Sequence, residues 1–157
     1  MHNHSYFMDL AIQEAQKALD SNTGGPFGAI VVKDGIVIAS SHNQVTSTND
    51  PTAHAEVNAI REACQKLGKF QLDDCMIYTS CEPCPMCLGA IYWARPKKVF
   101  YALSRIDAAE IGFDDQFIYN EINKDLSDRE IEFEELKSDS ANSVFQNWKL
   151  KTDKINY

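Results

Sequence analysis

The chain has 157 residues, of which 44% are hydrophobic and 24% are charged, so it is long enough for one compact domain and too apolar for a disordered chain. Its net charge is −8, and the segment 107–139 alone holds 12 acidic and 3 basic residues, a net of −9. Proteins that bind nucleic acid usually present a basic face. We therefore expect a small-molecule substrate and no nucleic-acid partner.

The sequence also argues against export or membrane insertion. No apolar stretch approaches the roughly 20 residues of a membrane-spanning helix, and Met1–Ser5 lacks the basic and apolar regions of a signal peptide. The five cysteines are Cys64, Cys75, Cys81, Cys84 and Cys87. An odd number of cysteines, three of them within seven residues, indicates metal binding in a reducing compartment rather than disulfides. We expect a cytoplasmic protein without a membrane partner.

The first half of the chain predicts two helices and a hairpin. Apolar residues recur at helical spacing over 5–20 and again over 53–68, where Gly68 suits a left-handed cap. Two β-branched runs, 29–32 and 36–39, are joined through Asp34-Gly35, which is a strong hairpin signal.

The rest of the chain continues the alternation of strands and helices. Residues 76–79 and 99–102 predict two more strands, which flank a helix that starts near Cys84 and stops before Pro96. Short helical pieces are expected over 106–124. Ile131 and Phe133 alternate with acidic residues as a fifth strand, and Val144 and Trp148 indicate a last helix. The predicted fold is a single α/β domain over 1–157, a three-layer α/β/α sandwich with a five-stranded mixed sheet.

Two segments carry the residues of a metal site. His54 opens the predicted second helix, while Cys84 and Cys87 open the third. Because the two cysteines are three residues apart, their sulfurs project from one face of a helix. Zinc prefers such nitrogen and sulfur ligands, and three protein ligands leave a fourth position for water, as in catalytic sites. We predict one Zn²⁺ per chain, held by His54, Cys84 and Cys87.

Other interpretations of the cysteines stay open. Cys81 would complete a four-ligand structural zinc, and the protein would then be a non-enzymatic module that binds a partner through its acidic surface. Its place before Pro83, at the end of a strand, argues against a shared helical face. An iron–sulfur cluster would need a further cysteine, and inert core cysteines are the remaining alternative.

Glu56 is the residue that would make a metal site reactive. It follows His54 by two positions, so one helical turn can aim its carboxylate at the open coordination position. There it could take a proton from water and pass it to a substrate nitrogen. The alternative role is an acidic residue that complements the helix dipole.

These residues resemble a known signature. His54-Ala55-Glu56 followed by Pro83-Cys84-x-x-Cys87 is similar to the H-x-E…P-C-x-x-C pattern of the zinc-dependent cytidine deaminase-like superfamily. Longer segments resemble bacterial guanine deaminases, and these are Gly24–Ala29, Asn49–Glu56, Thr79–Cys87 and Gly112–Asp115. The resemblance implies hydrolysis of guanine, a purine base, to xanthine and ammonia through attack at purine C2.

The resemblance also implies a substrate pocket. Asn43 would bind the base through its amide, although it could instead cap a loop. Phe27 would pack on the purine face or serve as a core residue, and Ala55 is a further candidate contact. Asp115, rather than Asp114, would contact the amino end of guanine as an additional proton carrier.

The last implication concerns assembly. Guanine deaminases of this type exchange their C-terminal segment across a homodimer, so residues 140–157 would carry Tyr157 into the neighbour's pocket. Val144, Phe145 and Trp148 supply apolar anchors for this segment. The nearest alternative function is a tRNA adenosine deaminase, which has a similar zinc motif, followed by deaminases of other bases or amino-heterocycles.

Overall fold

The computed structural model describes residues 3–157, which divide into two compact units, one ending at Gln116 and the other spanning Phe117–Tyr157. The elements of the first unit are α1 (His4–Ser21), β1 (Gly28–Lys33), β2 (Ile36–His42), α2 (Val45–Thr48), α3 (Ala55–Leu67), β3 (Cys75–Cys81), α4 (Pro85–Ala94), β4 (Lys98–Leu103) and α5 (Arg105–Glu110). Across the described residues, every helix is too short or too polar to traverse a bilayer.

The four strands form one mixed sheet in the order β2-β1-β3-β4. Strand β1 is antiparallel to both neighbours, whereas β3 and β4 are parallel. The predicted hairpin is confirmed, since Asp34 and Gly35 join β1 to β2 with φ values of 50° and 81°. Two positive φ angles are typical of the two-residue turn that matches the twist of a hairpin.

Helices cover both faces of the sheet. Alternate residues of β1 point to opposite faces, so Ile30 and Val32 pack with Phe7 of α1, while Ala29 and Val31 pack on the side of α3 and α4. The helices of the predicted sandwich therefore form the two outer layers of the first unit.

The helix boundaries follow from local sequence. Asn3 caps α1 by accepting a hydrogen bond from the Tyr6 backbone N–H at 2.9 Å. Helix α3 ends at Gly68, whose φ of 64° confirms the predicted left-handed cap. The short helix α2 was not predicted, because four residues are too few to show a helical period.

The second unit contains helices and irregular chain. Helix α6 (Gln116–Ile122) leads into it, a 3₁₀ turn covers Leu126–Asp128, and α7 (Asp139–Leu150) confirms the predicted last helix. The predicted fifth strand at Ile131 and Phe133 is wrong, because no strand forms in residues 104–157 as the structure describes them.

The segment around Ile131 and Phe133 does not form a strand because it is neither buried nor paired with another strand. Ile131 and Phe133 are 74% and 56% exposed, so the alternation of apolar and acidic residues does not mark a buried face. Alternation predicts a strand only where a neighbouring strand provides backbone hydrogen bonds, and residues 131–134 join no ladder.

The strand directions decide where a site can form. Strands β2, β3 and β4 all run opposite to β1, so their carboxyl ends lie at one edge of the sheet. The loops that follow these three strands, and the segment that precedes β1, meet at this edge. Ligand sites of α/β proteins commonly form at such an edge.

Candidate metal centre and active site

The N-termini of α3 and α4 bring the predicted metal ligands together. His54 is the N-cap residue of α3, and Cys84 is the N-cap residue of α4, one turn before Cys87. The His54 Nδ1 lies 3.5 Å from the Cys84 Sγ and 3.5 Å from the Cys87 Sγ. Helix N-termini carry partial positive charge, which is favourable for negatively charged ligands such as a thiolate.

These distances fit a tetrahedral zinc ion. A Zn–N bond of about 2.0–2.1 Å and a Zn–S bond of about 2.3 Å, at the tetrahedral angle, place nitrogen and sulfur about 3.5–3.6 Å apart. Among residues 3–157, the only group of at least three ligand atoms within 4.8 Å of one another belongs to His54, Cys84 and Cys87. This chain thus offers zinc one nitrogen and two sulfur ligands.

The two cysteines differ in their electrostatics. A hydrogen bond with Cys87 lowers the pKa of Cys84 to about 4, and the adjacent His54 ring acts in the same direction. The same hydrogen bond raises the pKa of Cys87, and burial adds to this effect. The hydrogen bond to Cys84 also raises the pKa of His54. Metal binding requires all three ligands to be deprotonated, so it releases protons.

Cys81 does not join the ligand group. Its sulfur is buried and donates a hydrogen bond to the Ser104 carbonyl oxygen at 3.5 Å. Burial raises the pKa of Cys81 to about 11, which favours the neutral thiol over the thiolate that a metal needs. The four-ligand structural site is therefore not formed by these residues.

Glu56 lies in the first turn of α3, beside the metal ligands. Its side chain is buried, with 6% of the residue exposed, and its Oε1 accepts a hydrogen bond from the Thr79 hydroxyl at 2.9 Å. Its Oε2 lies 3.3 Å from the Cys87 Sγ. Burial raises the pKa of Glu56, while the hydrogen bonds from Thr79 and Cys87 partly oppose that shift.

Asn43 follows β2 directly and is 4% exposed. Its Oδ1 accepts a hydrogen bond from the Val45 backbone N–H at 3.1 Å, so the carboxamide does cap a loop. A Cβ atom on Gly24 would lie 2.0 Å from this Oδ1, so only glycine leaves room for the carboxamide there. The other end of the amide, Nδ2, makes none of the hydrogen bonds described within residues 3–157.

Asn58 fastens the loop between Asn43 and His54 onto α3. Its Nδ2 donates to the His42 carbonyl oxygen at 3.1 Å and to the Ala53 carbonyl oxygen at 3.3 Å. These two carbonyls belong to the residues immediately before Asn43 and His54. One side chain therefore sets the positions of a predicted base contact and of a metal ligand.

Phe27 and Ala55 are the two other residues predicted to contact the base. Phe27 is partly buried against the core, and its ring meets the Phe113 ring edge to face, with centroids 4.9 Å apart. Ala55 is wholly buried as the first residue of α3. N–H groups in the first turn of a helix have no partner within that helix, so such a group can bind a ligand.

The structure separates the roles of Asp114 and Asp115. Asp114 accepts a hydrogen bond from the Gln116 backbone N–H at 2.9 Å and so caps α6. Asp115 is partly buried, and this burial, together with the charge of Cys84, raises its pKa. The two neighbouring carboxylates therefore differ: that of Asp114 caps a helix, whereas that of Asp115 is partly buried.

Tyr157 belongs to the second unit and is 69% exposed. The segment 151–157 that carries it contains neither helix nor strand. Exchange of this segment between two chains stays a prediction.

A family model matches the part of the chain that holds this cluster. Residues 1–103 match the model of the cytidine and deoxycytidylate deaminase zinc-binding region, which covers both the His54–Glu56 segment and the two cysteines. The chain belongs to this family of zinc deaminases. The resemblance inferred from the motif is confirmed, and zinc is the metal for which the three ligands are suited.

Relatives of this zinc deaminase include guanine deaminases and tRNA-specific adenosine deaminases. It is 57% identical to the guanine deaminase of Bacillus subtilis (strain 168) over 155 residues, which is 99% of each chain. The X-ray structure of a guanine deaminase from Bacillus subtilis matches with a TM-score of 0.96 at 56% identity and covers 99% of both chains. A tRNA-specific adenosine deaminase of Aquifex aeolicus is 43% identical over 97 residues, which is 62% of this chain and 64% of that relative.

Sequence reasoning missed three residues of this deaminase site. Thr79 lies within a predicted strand, two residues after the buried Ile77. Because strand residues two apart share a face, this spacing could have indicated that Thr79 points to the same side of the sheet as Ile77. Asn58 gave no local signal, because its partners lie elsewhere in the chain. Phe113 lies in the segment Gly112–Asp115 that carried the resemblance, but its contact with Phe27 could not be predicted from that segment alone.

Proposed function

We propose that this protein hydrolyses guanine to xanthine and ammonia. Water adds to purine C2, the bond between C2 and the amino nitrogen breaks, and ammonia leaves. The observation that carries this proposal is the extent of similarity. The match to a guanine deaminase spans 99% of the chain, whereas the match to a tRNA-specific adenosine deaminase spans 62%.

The metal ligands and Glu56 would supply the chemistry. Bound zinc acts as a Lewis acid and lowers the pKa of water to about 7. Thr79 holds the Oε1 of Glu56, which leaves Oε2 directed at the ligand cluster. Once the Cys87 sulfur is a metal ligand it carries no proton, so Oε2 is available to accept one from water.

Glu56 would move this proton in two stages. It first delivers the proton to the ring nitrogen beside C2, and then transfers a proton to the departing amino group. Burial suits this role, since it raises the pKa of Glu56 and so makes the carboxylate a better proton acceptor. Asp115, which is partly buried, would assist at the amino end of the base.

Asn43 would favour an oxo purine over adenine. Because its Oδ1 is engaged by the Val45 N–H, the amide presents Nδ2 as a donor. Guanine offers acceptors at O6 and N7, whereas adenine carries a donating amino group at position 6. Phe27 would pack on the purine ring, and the first turn of α3 at Ala55 would offer backbone donors.

A substrate panel tests the proposed function. Purified zinc-loaded protein is incubated with guanine, adenine, cytosine, guanosine and an anticodon stem-loop, and ammonia release is measured. We expect guanine to give the largest kcat/KM, with xanthine formed in equal amount to ammonia. Faster deamination of adenosine in the stem-loop would support the tRNA adenosine deaminase instead, and no ammonia from any compound would contradict an enzymatic function.

We also propose a homodimer in which residues 140–157 cross to the neighbouring chain. Helix α7 carries exposed apolar side chains, and those of Val144, Phe145 and Leu150 are all more than 60% exposed in a single chain. In the first unit, Tyr92 and Trp93 of α4 are also exposed. Apolar surface of this extent is typical of a protein–protein interface. Tyr157 would reach the partner's pocket, and residues 1–157 would work as one deaminase domain.

Deletion of residues 151–157 tests the exchange. Because this segment has no helix or strand, we expect unchanged circular dichroism but a loss of about 10–100-fold in kcat/KM for guanine. The truncated chain is then mixed and refolded with full-length Glu56→Gln protein. In an exchanged dimer the full-length tail completes the intact site, so activity should return. Full activity of the truncated protein alone, or no recovery on mixing, would argue against exchange.

The reducing environment of the cytoplasm suits this site. All five cysteines are free in the described residues. Two of them are metal ligands, and zinc thiolates are lost on oxidation. We accordingly propose a cytoplasmic location.

A further inference from the structure

The segment that carries Asp115 is fixed at its backbone by its neighbours. Helix α5 ends in a turn at Gly112, with φ of 93°, and the Phe113 N–H donates to the Ala108 carbonyl oxygen at 3.0 Å. Asp114 is occupied in capping α6. The carboxylate of Asp115 makes no side-chain hydrogen bond to another residue within 3–157. Its position therefore depends on what anchors the adjacent side chains.

Phe113 supplies such an anchor across the site. Its ring meets Phe27 at 4.9 Å between centroids and at an interplanar angle of 88°, an edge-to-face pair. The ring also lies directly on Gly25, where an added Cβ would be 2.8 Å from the Phe113 Cζ and 2.9 Å from the Phe27 Cε2. A side chain at position 25 would therefore displace one or both rings.

The ring pair connects two parts of the site that are distant in sequence. Phe27 accepts a hydrogen bond from the Asn43 N–H through its carbonyl oxygen, at 3.0 Å. Phe113 stands two residues before Asp115. The contact thus joins the segment that presents the base-binding amide to the segment that presents the second carboxylate.

We propose that Phe113 is a positioning residue for guanine deamination, and that its ring, held between Gly25 and Phe27, places the Asp115 carboxylate at the amino end of the substrate. This inference rests on the proposed function. Phe113 acts through Asp115, because the ring itself has no group that can bind or transfer a proton.

A double-mutant cycle tests the proposal. Phe113→Ala, Asp115→Asn and the double variant are compared for kcat and KM with guanine, alongside zinc content and Tm. We expect Phe113→Ala to keep its zinc and lose about 10–100-fold in kcat, with a smaller change in KM. The double variant should be no worse than Asp115→Asn alone, because the anchor has no effect once the carboxylate is gone.

Two further variants separate anchoring from general packing. Gly25→Ala should reproduce the kcat loss, since the new Cβ displaces the same ring, and Phe113→Leu should recover part of the activity. Phe70→Ala removes another half-exposed ring, after α3, and should stay within twofold of the wild type. If the fold loss in kcat of the double variant equals the product of the two single losses, Phe113 and Asp115 act independently and the proposal is wrong.

The same measurements distinguish a wrong positioning role for Phe113 from a wrong proposed function. If the wild-type protein releases no ammonia from guanine, the function itself is wrong. If the wild type is active but Phe113→Ala or Asp115→Asn keeps the wild-type kcat, the function stands and only the positioning role is wrong.

Discussion

Glu56→Gln is expected to lower kcat for guanine by about 10²–10⁴-fold, the range that general acid–base catalysis supplies. Glutamine keeps the size of the side chain and can still accept the Thr79 hydrogen bond, but it cannot accept a proton from water. The variant should therefore fold with an unchanged Tm. It should also bind one zinc per chain, since Glu56 is not one of the three residues in the ligand group.

The matched control is Glu62→Gln in the same helix. Glu62 accepts hydrogen bonds from Ser41 and Lys66 and is not part of the metal cluster, so kcat should stay within twofold of the wild type. The measurement is steady-state ammonia release, together with zinc analysis of each protein. A Glu56→Gln protein that keeps more than a tenth of the wild-type kcat would show that Glu56 does not carry the proton.

Cys84→Ala should abolish both metal retention and turnover. It removes one of three protein ligands, and two ligands do not hold zinc against a chelator. After dialysis with a chelator we expect less than about 0.1 zinc per chain and a kcat at least about 10³-fold lower, because metal chemistry supplies several kcal/mol of the barrier reduction. The Tm should fall as well, since a metal that binds only the folded state stabilises it.

Cys64→Ala provides the control for loss of a cysteine. Cys64 is also partly buried, but it packs against the core cluster and is not a member of the ligand group. This variant should keep one zinc per chain and its activity. Both variants are measured side by side. If Cys84→Ala retained zinc and turnover as Cys64→Ala does, Cys84 would not be a metal ligand.

The metal ligands could be predicted because their arrangement is local. Cys84 and Cys87 share a helix face through their spacing, and His54 and Glu56 share the start of another helix. The parallel direction of β2 and β3 then brings the two helix N-termini to one edge of the sheet. Spacing, together with the position of both segments at predicted helix N-termini, was sufficient to predict the cluster.

Contacts between residues that are far apart in sequence could not be predicted from spacing. The burial of Glu56 against Thr79 and the pairing of Phe27 with Phe113 join residues that no periodic pattern connects. The choice between Asp114 and Asp115 depends on which carboxylate caps α6, and two adjacent acidic residues look alike in sequence.

The predicted fifth strand is an error of the opposite kind, because a local pattern suggested an element that does not form. The alternation at Ile131 and Phe133 follows the pattern of a strand, but the side chains are exposed and the backbone has no ladder partner. A pattern of two apolar residues is too short to specify burial, and strand pairing is decided by the neighbours rather than by the segment itself.

Zinc K-edge X-ray absorption of the purified protein tests the metal centre most directly. We predict two sulfur ligands at about 2.3 Å and two nitrogen or oxygen ligands at about 2.0–2.1 Å, one from His54 and one from water. Addition of a substrate analogue should alter the oxygen ligand and leave both sulfurs in place. A shell of three sulfurs and one nitrogen, with no exchangeable oxygen, would contradict an open catalytic site.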